Sequence, residues 1–586
     1  MSGNDRKLYF FLALVAFCYV LARAVLVPFV HDEAATVSMY VQFGEFLPWR
    51  SHWDAGNHFL NTALGIVGYK LFGLEQLAIR AGNVLAFVLY AWMVWCLGGY
   101  VRDRLVRWCM WLALLLCPFL LEFFSLFRGY GLEMVFFVWA LHALLSFARD
   151  GRVGQFAQVL LSLCLANASI LALLPFWSIV LGLLAIMIGA GKQTRVVRAR
   201  LSLAWVVFGV LPLLLAARIA MEMQEIGLLY HGNTQGFVAV TVSTLSWFVL
   251  GSQHPVLIGS LIIGFSSMTA VAAGIIRRER SFRHPLVIII GLLWAEVLAR
   301  VVMATMLQVN YPEDRAALHL VPLFVLAAAL CIDELGIRIP GWRYAAFVLL
   351  FLPVRSLALA NLDHTVLWPD QSPPQRFVDR LIALQAAQER PLAIGAYHLM
   401  NRSLPFAVRA REEQLPLPLT EGFPEGPHDV RIVRDDHLQQ ALKGFREVDH
   451  HDGTGLHLLE RNQPLVLSPV LVNAFSCSAT SDEFVEVLRL DSLSAEDEFL
   501  VEVTGEMSTI NATAVKLVVE LRDASDKSIH YDAAMITAFA PLFGRVREVR
   551  HIPALVEARS AVVYFWNVRR TPLTLTNGAV RLNQVE

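Results

Sequence analysis

The sequence predicts a polytopic α-helical membrane protein with about 11 transmembrane helices, followed by an extracytoplasmic α/β region and a β-sandwich. Three observations carry that prediction. Hydrophobic residues make up 56% of the 586 and charged residues only 17%, too apolar for one soluble fold and too long for one core. The apolar residues gather into runs of membrane-crossing length up to about residue 360, and from Asn361 the composition turns to that of a soluble protein. After Gln463 apolar and polar residues alternate, the mark of strands half-buried on one face.

Taken in order, Leu8 to Val30 is an apolar run behind Arg6 and Lys7, long enough to cross about 30 Å of hydrocarbon. No small-x-small cleavage pattern follows it, so it reads as an uncleaved first span with a cytoplasmic N-terminus. Further runs lie at 78–100, 107–124, 130–148, 155–172, 173–190, 201–221, 255–276, 285–308, 316–334 and 343–360. Lys and Arg are enriched in cytoplasmic loops, which tests the count. Arg102, Arg104 and Arg107, then Arg149 and Arg152, then Lys192, Arg195, Arg198 and Arg200, then Arg277, Arg278, Arg280 and Arg283, then Arg338 and Arg343 fall in alternate loops. All lie on the side of Arg6 and Lys7 if 155–190 is two short spans broken near Asn167 and Pro175 and 237–252 is a helix lying outside. The polar residues of interest then collect on one, extracytoplasmic, face of a plasma membrane, the inner membrane of a bacterium.

Beyond the spans, 374–390 has helical spacing, 391–400 reads as a strand, and Pro- and Gly-rich loops continue to about 462. Strands are expected at 484–490, 499–503, 515–521, 561–567 and 573–575, a sandwich of jelly-roll type. The expected domains are therefore 1–360 in the membrane, 361–462 as an α/β region and 463–586 as the β-domain. Six of the seven cysteines lie in apolar runs, which offers no disulfide framework. A net charge of −1 gives no basic face for nucleic acid.

The chemistry begins where the first span ends. Asp32 and Glu33 open a polar segment that also holds His31, His52, Asp54, Asn57, His58 and Asn61. Carboxylates are costly in a bilayer, so a pair held at its edge points to a site facing both lipid and water. The plainer reading makes Asp32 a helix N-cap and Glu33 a complement to the helix dipole. The functional reading makes one of them a base that stays ionised beside a lipid-borne substrate. Asn57, His58 and Asn61 have spacing for one interfacial helix, with Phe59, Leu60 and Leu64 turned to lipid. The histidines and acids leave room for a divalent ion, yet match no ligand signature.

Asp32-Glu33, the Asn57-His58-x-x-Asn61 segment, the turn Ser125 to Leu132 and the many-span pattern with an external tail resemble the GT-C-type integral-membrane glycosyltransferases. That superfamily includes the protein O-mannosyltransferases and the lipid A aminoarabinose transferase. The resemblance covers residues 8–360 and implies a polyprenyl-phosphate sugar donor, with the first-loop acid role falling on Asp32 or Glu33. It also implies a second acid on the next external loop, for which Glu133 is the nearest candidate. Arg128 and Arg315, in the turns that also carry Tyr130, Tyr311 and Asp314, are placed to grip a lipid phosphate; their plain readings are a snorkelling anchor and a surface ion pair with Asp314 or Glu313. Glu296 and Arg300, one helical turn apart, read as an internal link.

The sequence thus points to a membrane glycosyltransferase that moves a sugar from a polyprenyl phosphate to a glycan, glycolipid or protein acceptor outside the cytoplasm. Two rivals are a lipid-linked glycan flippase and a non-catalytic envelope scaffold. The first predicts charged or broken helices at mid-membrane, and the second leaves Asp32-Glu33 unused. For the tail, Tyr564 and Trp566 share one strand face and Phe565 the other; that aromatic face either covers the adjoining α/β region or stacks on a sugar.

Overall fold

The structure, a computed structural model, describes residues 3–190, 194–229, 232–421, 423–509, 514–539 and 543–586. Lys192 lies outside the described residues. The chain forms two compact units, one of residues 1–25, 46–68 and 77–362, the other of residues 26–45, 69–76 and 363–586. The segment after the first span therefore belongs with the C-terminal unit, which hydropathy gives no means of foreseeing.

The helices run in chain order as α1 (Gly3–Leu26), α2 (His31–Thr36), α3 (Phe59–Phe72), α4 (Gln76–Leu97), α5 (Arg104–Leu115), α6 (Pro118–Phe124), α7 (Tyr130–Asp150), α8 (Val153–Ser169) and α9 (Leu174–Ala190). They continue as α10 (Arg195–Trp205), α11 (Leu211–Glu225), α12 (Ser243–Leu250), α13 (Pro255–Glu279), α14 (Pro285–Met306), α15 (Leu320–Arg338) and α16 (Phe351–Ala358). Among the described residues eight helices are long and apolar enough to cross a membrane, or nine if α5 and α6, bent by 46°, form one span. This is an integral membrane protein, and the expected count of about 11 is not reached. The differences are local. The run at 107–124 breaks at Cys117-Pro118 because proline lacks an N–H and clashes with the preceding turn, while the run at 343–360 is a tight 3₁₀ stretch, Pro340–Leu350, leading into the eight-residue α16.

The expected break within 155–190 is present: α8 stops at Ser169, Leu171–Leu173 forms a 3₁₀ turn, and α9 starts at Leu174. Carbonyls freed by such a break need donors when they are buried. Arg300 supplies one, donating to the Ala172 carbonyl oxygen at 2.6 Å. The expected helix over 237–252 is present as Val238–Val242 continued by α12.

In the second unit, α17 (Gln375–Ala386) and α18 (Met400–Arg409) accompany a five-stranded sheet. Its strands are β1 (Ile394–Tyr397), β2 (Leu419–Glu421), β3 (Val430–Arg434), β4 (Phe445–His451) and β5 (Leu456–Arg461), in the order β2-β1-β3-β5-β4. Next come β6 (Leu467–Thr480), β7 (Phe484–Leu490), β8 (Phe499–Thr509), β9 (Val515–Arg522), β10 (Ser528–Met535), β11 (Phe543–Ile552), β12 (Ser560–Asn567) and β13 (Leu573–Val585). They form two antiparallel sheets, β10-β9-β12-β7 and β11-β8-β13-β6, which bury one shared core including Val503, Leu517, Val563 and Leu582. All but one of the successive connections described cross between the sheets, which is how a jelly roll is wound. Phe565 is in that core. On the other face Tyr564 and Trp566 are half-buried, with Phe484 against both and Lys516 4.6 Å from the Trp566 ring centre.

Candidate functional site

In the second unit the first-loop acids open α2. Val30 holds the N-cap position in extended backbone and offers no side-chain cap, so His31, Asp32 and Glu33 are the first three helical residues. Asp32 is therefore not the N-cap. Glu33 is fully buried and its Oε2 accepts from the Val30 N–H at 3.2 Å, the returning half of a capping box. Asp32 is half-buried, with its carboxylate at the helix's positive end. His31 places Nδ1 3.1 Å from the Leu399 carbonyl oxygen. Burial holds its pKa below the usual histidine value, so the neutral ring donates there from Nδ1.

The remaining candidates lie in the first unit. His52 is exposed, and Asp54 Oδ1 accepts from the Gly56 N–H at 2.5 Å, shaping an Asx turn. α3 starts at Phe59, so Asn57 and His58 stand before it and not on its face. Asn57 accepts from the Thr62 hydroxyl at 3.0 Å and donates to the Phe46 carbonyl oxygen at 3.0 Å. Asn61 is buried and accepts from Asn83 Nδ2 at 2.6 Å, while Asn83 Oδ1 takes the Leu132 N–H at 3.2 Å. The polar side of α3 thus joins α4 to α7, and Val67, Leu71 and Phe72 are exposed on its other side.

The turn between α6 and α7 brings His58, Arg128 and Tyr130 together. Its tightness depends on Gly129, where a Cβ would lie 2.4 Å from the Ser169 carbonyl oxygen and 2.8 Å from His58 Cβ. Arg128 is buried, not snorkelling at an edge, and its guanidinium lies 5.9 Å from the Tyr130 ring centre. His58 packs against the same ring at 5.2 Å. Tyr130 thus has Arg128 and His58 against its ring, and the charge of Arg315, from a separate turn, also acts on it.

Arg315 is presented by a turn with little freedom. Tyr311 is buried and its N–H donates to the Asn233 carbonyl oxygen at 2.9 Å; the Thr241 hydroxyl donates to the Pro312 carbonyl oxygen at 2.6 Å. Asp314 adopts left-handed backbone, φ 42°, a conformation that costs a non-glycine residue about 1 kcal/mol or more. Its N–H donates to Thr244 Oγ1 at 2.9 Å, and its Oδ1 accepts from the Arg315 N–H. A short polar side chain that can bond locally is what this conformation tolerates.

Glu133 is not on a loop: it lies in the first turn of α7, 1% exposed, and faces His319. The Glu296–Arg300 link is present at 2.8 Å. His319 joins it, and sequence reasoning passed over His319 and Asn83; the available signal was a polar side chain inside or beside an apolar run. Among the described residues no group of three or more His, Cys, Asp or Glu could hold a metal ion. His31 Nδ1 and Asp54 Oδ1 each serve a backbone partner.

No family model matches the chain, and no curated protein matches it. Among solved structures it is similar to ArnT from Cupriavidus metallidurans, at 14% identity and a TM-score of 0.44, covering 78% of this chain and 97% of that one. The same enzyme bound to undecaprenyl phosphate gives 14% and 0.43, covering 78% and 98%. The Archaeoglobus fulgidus oligosaccharyltransferase, in complex with Zn and sulfate, gives 10% and 0.37, covering 96% of each chain. With every TM-score below 0.5, these matches carry no residue role onto this chain.

Proposed function

We propose that the protein transfers a sugar from a polyprenyl phosphate to an acceptor hydroxyl at the extracytoplasmic face of the membrane. The observation that carries the reading is Arg128 buried beside the Tyr130 ring, with the charge of the half-buried Arg315 also acting on that phenol. The planar forks of the two guanidinium groups suit a phosphate. Asp32 accepts the proton as the acceptor oxygen bonds to the anomeric carbon and the bond to the donor's phosphate oxygen breaks. The departing phosphate gains charge, and the two arginines stabilise that charge. Glu33 is engaged as the cap acceptor, which favours Asp32 as the base. His58 packs against the ring edge of Tyr130 and orients the phenol.

The test uses purified full-length protein with a polyprenyl-phosphate sugar. Release of polyprenyl phosphate dependent on added acceptor is the expected result, and Arg128→Ala or Arg315→Ala should weaken polyprenyl-phosphate binding about tenfold, the worth of one charge-assisted contact. Normal binding in both variants, or no release with any lipid-linked sugar, overturns the reading.

A further inference from the structure

His319 places a carboxylate at each of its ring nitrogens. Nε2 stands 3.1 Å from Glu296 Oε1, and Nδ1 stands 3.8 Å from Glu133 Oε1. Arg300 Nε donates to the same Glu296 oxygen at 2.9 Å. Phe137 and Phe176 pack against the imidazole. Exposure is 0% for His319 and Glu296, 1% for Glu133 and 7% for Arg300. Neither carboxyl oxygen of Glu133 has a hydrogen-bond partner among the described residues.

Charge balance decides where the protons are. Arg300 and Glu296 cancel, and Glu296 is an acceptor, so His319 Nε2 carries a hydrogen. A bare carboxylate at Glu133 would leave one uncompensated charge away from water, a state that buried groups avoid by taking up a proton. One proton therefore belongs to the pair, either on Glu133 or on His319 Nδ1, and both placements leave the cluster neutral. At 3.8 Å the two atoms are too far apart for a formed hydrogen bond, which leaves the proton on Glu133.

We infer that Glu133 is held as a carboxylic acid facing the unprotonated Nδ1 of His319, and that keeping this contact uncharged lets the Arg315 turn sit against the start of α7, where Arg128 and Tyr130 stand. His319 follows Arg315 by four residues and Glu133 follows Tyr130 by three, so the pair joins the two turns that supply the arginines. His319 is a positioning residue and Glu133 its proton-bearing partner. The inference rests on the phosphate reading above. Loss of the proton sets a negative charge against the Nδ1 lone pair and drives the two elements apart. Phosphate binding then weakens as pH rises, although a phosphate monoester's own titration adds negative charge in the same direction of pH and favours binding.

The test measures polyprenyl-phosphate binding to the full-length protein in detergent, at about pH 6, near the phosphate's own second ionisation, and at about pH 9, well above it. The wild type should lose about tenfold in affinity across that interval, a usual size for coupling between sites. Glu133→Gln keeps an uncharged group of the same shape and should lose the alkaline weakening. His319→Gln should bind more weakly at both pH values, and Tyr130→Phe should keep the alkaline weakening, excluding the phenol as its source. In ligand-free protein, infrared spectra at neutral pH should show a protonated-carboxyl band that is missing from Glu133→Gln. Equal alkaline weakening in Glu133→Gln, or no such band in the wild type, overturns the inference. If the wild type binds no polyprenyl phosphate at any pH, the phosphate reading fails and the infrared band alone decides whether Glu133 holds a proton; if His319→Gln does not fold, Glu133→Gln still decides.

Discussion

Asp32 and Glu33 are adjacent in sequence and alike in chemistry, yet their surroundings separate them. Glu33 is sealed in and spends an oxygen on the Val30 N–H, whereas Asp32 is half-buried. Asp32→Asn should therefore leave the protein folded and inserted while lowering sugar transfer by about two to four powers of ten, the usual worth of a general base. Glu33→Gln should act mainly on local stability, by about 1 kcal/mol, as cap losses do. Turnover and protease resistance measured on the same preparations separate the two roles, and near-normal turnover in both variants removes the first-loop acids from the mechanism. The pair itself was legible in the sequence because carboxylates at the end of an apolar run are rare. The division of labour was not, since it depends on which residue takes the N-cap. An apolar valine takes it here, against the preference for Asp or Ser.

At the scale of single elements, legibility followed the regularity of the pattern. β7, β9 and β12 begin and end within a residue or so of expectation, because each is a short run rich in β-branched and aromatic residues. β11 was missed for an identifiable reason. Glu548 and Arg550 pair with Val503 and Val501 of β8 and so share the core-facing side of β11 with Val546 and Ile552, which breaks the alternation. Leu417 fills the sheet edge there. Its N–H donates to Glu548 Oε2 at 2.8 Å and its carbonyl oxygen accepts from Arg550 at 2.5 Å. Burial pushes the Glu548 carboxyl up to about 7, against the pull of Arg550. Its folded value lies above its unfolded value of 4.5, so its contribution to stability is fully present below that unfolded value and is lost as pH rises through about 7. The loss is on the order of 3 kcal/mol at most. Amide exchange of β11 in the full chain, corrected for intrinsic rates, should show protection falling across that window and a flat response in Glu548→Gln. A window equally steep in the variant would assign the titration to another group.

For the whole molecule, apolar runs gave the membrane unit and the composition change near Asn361 gave the soluble one, and the observed boundary falls at Leu362. Hydropathy registers apolarity and is blind to a proline bend or a 3₁₀ stretch, so the count of about 11 is not confirmed. An external tail requires that Pro340–Ala358 cross along with α14 and α15. On that reading a cysteine at Ser281, in the basic loop between α13 and α14, should be labelled from the cytoplasmic side only, and one at Ser492, in the tail, from the opposite side only. Labelling of both from one side would mean an even number of crossings between them. The C-terminal unit also claims residues 26–45. There Gln42 Oε1 accepts from the Phe539 N–H at 2.9 Å, Glu45 pairs with Arg569 at 2.9 Å, and Phe29 stacks on Phe406 with ring centres 4.1 Å apart. The helix that carries Asp32 is made early, and the residues that anchor the segment around it follow 368 to 524 positions later. During synthesis the first loop must wait, incompletely anchored, until residue 569 has been delivered to it, so a chain interrupted just short of that residue would still lack the Glu45 pairing.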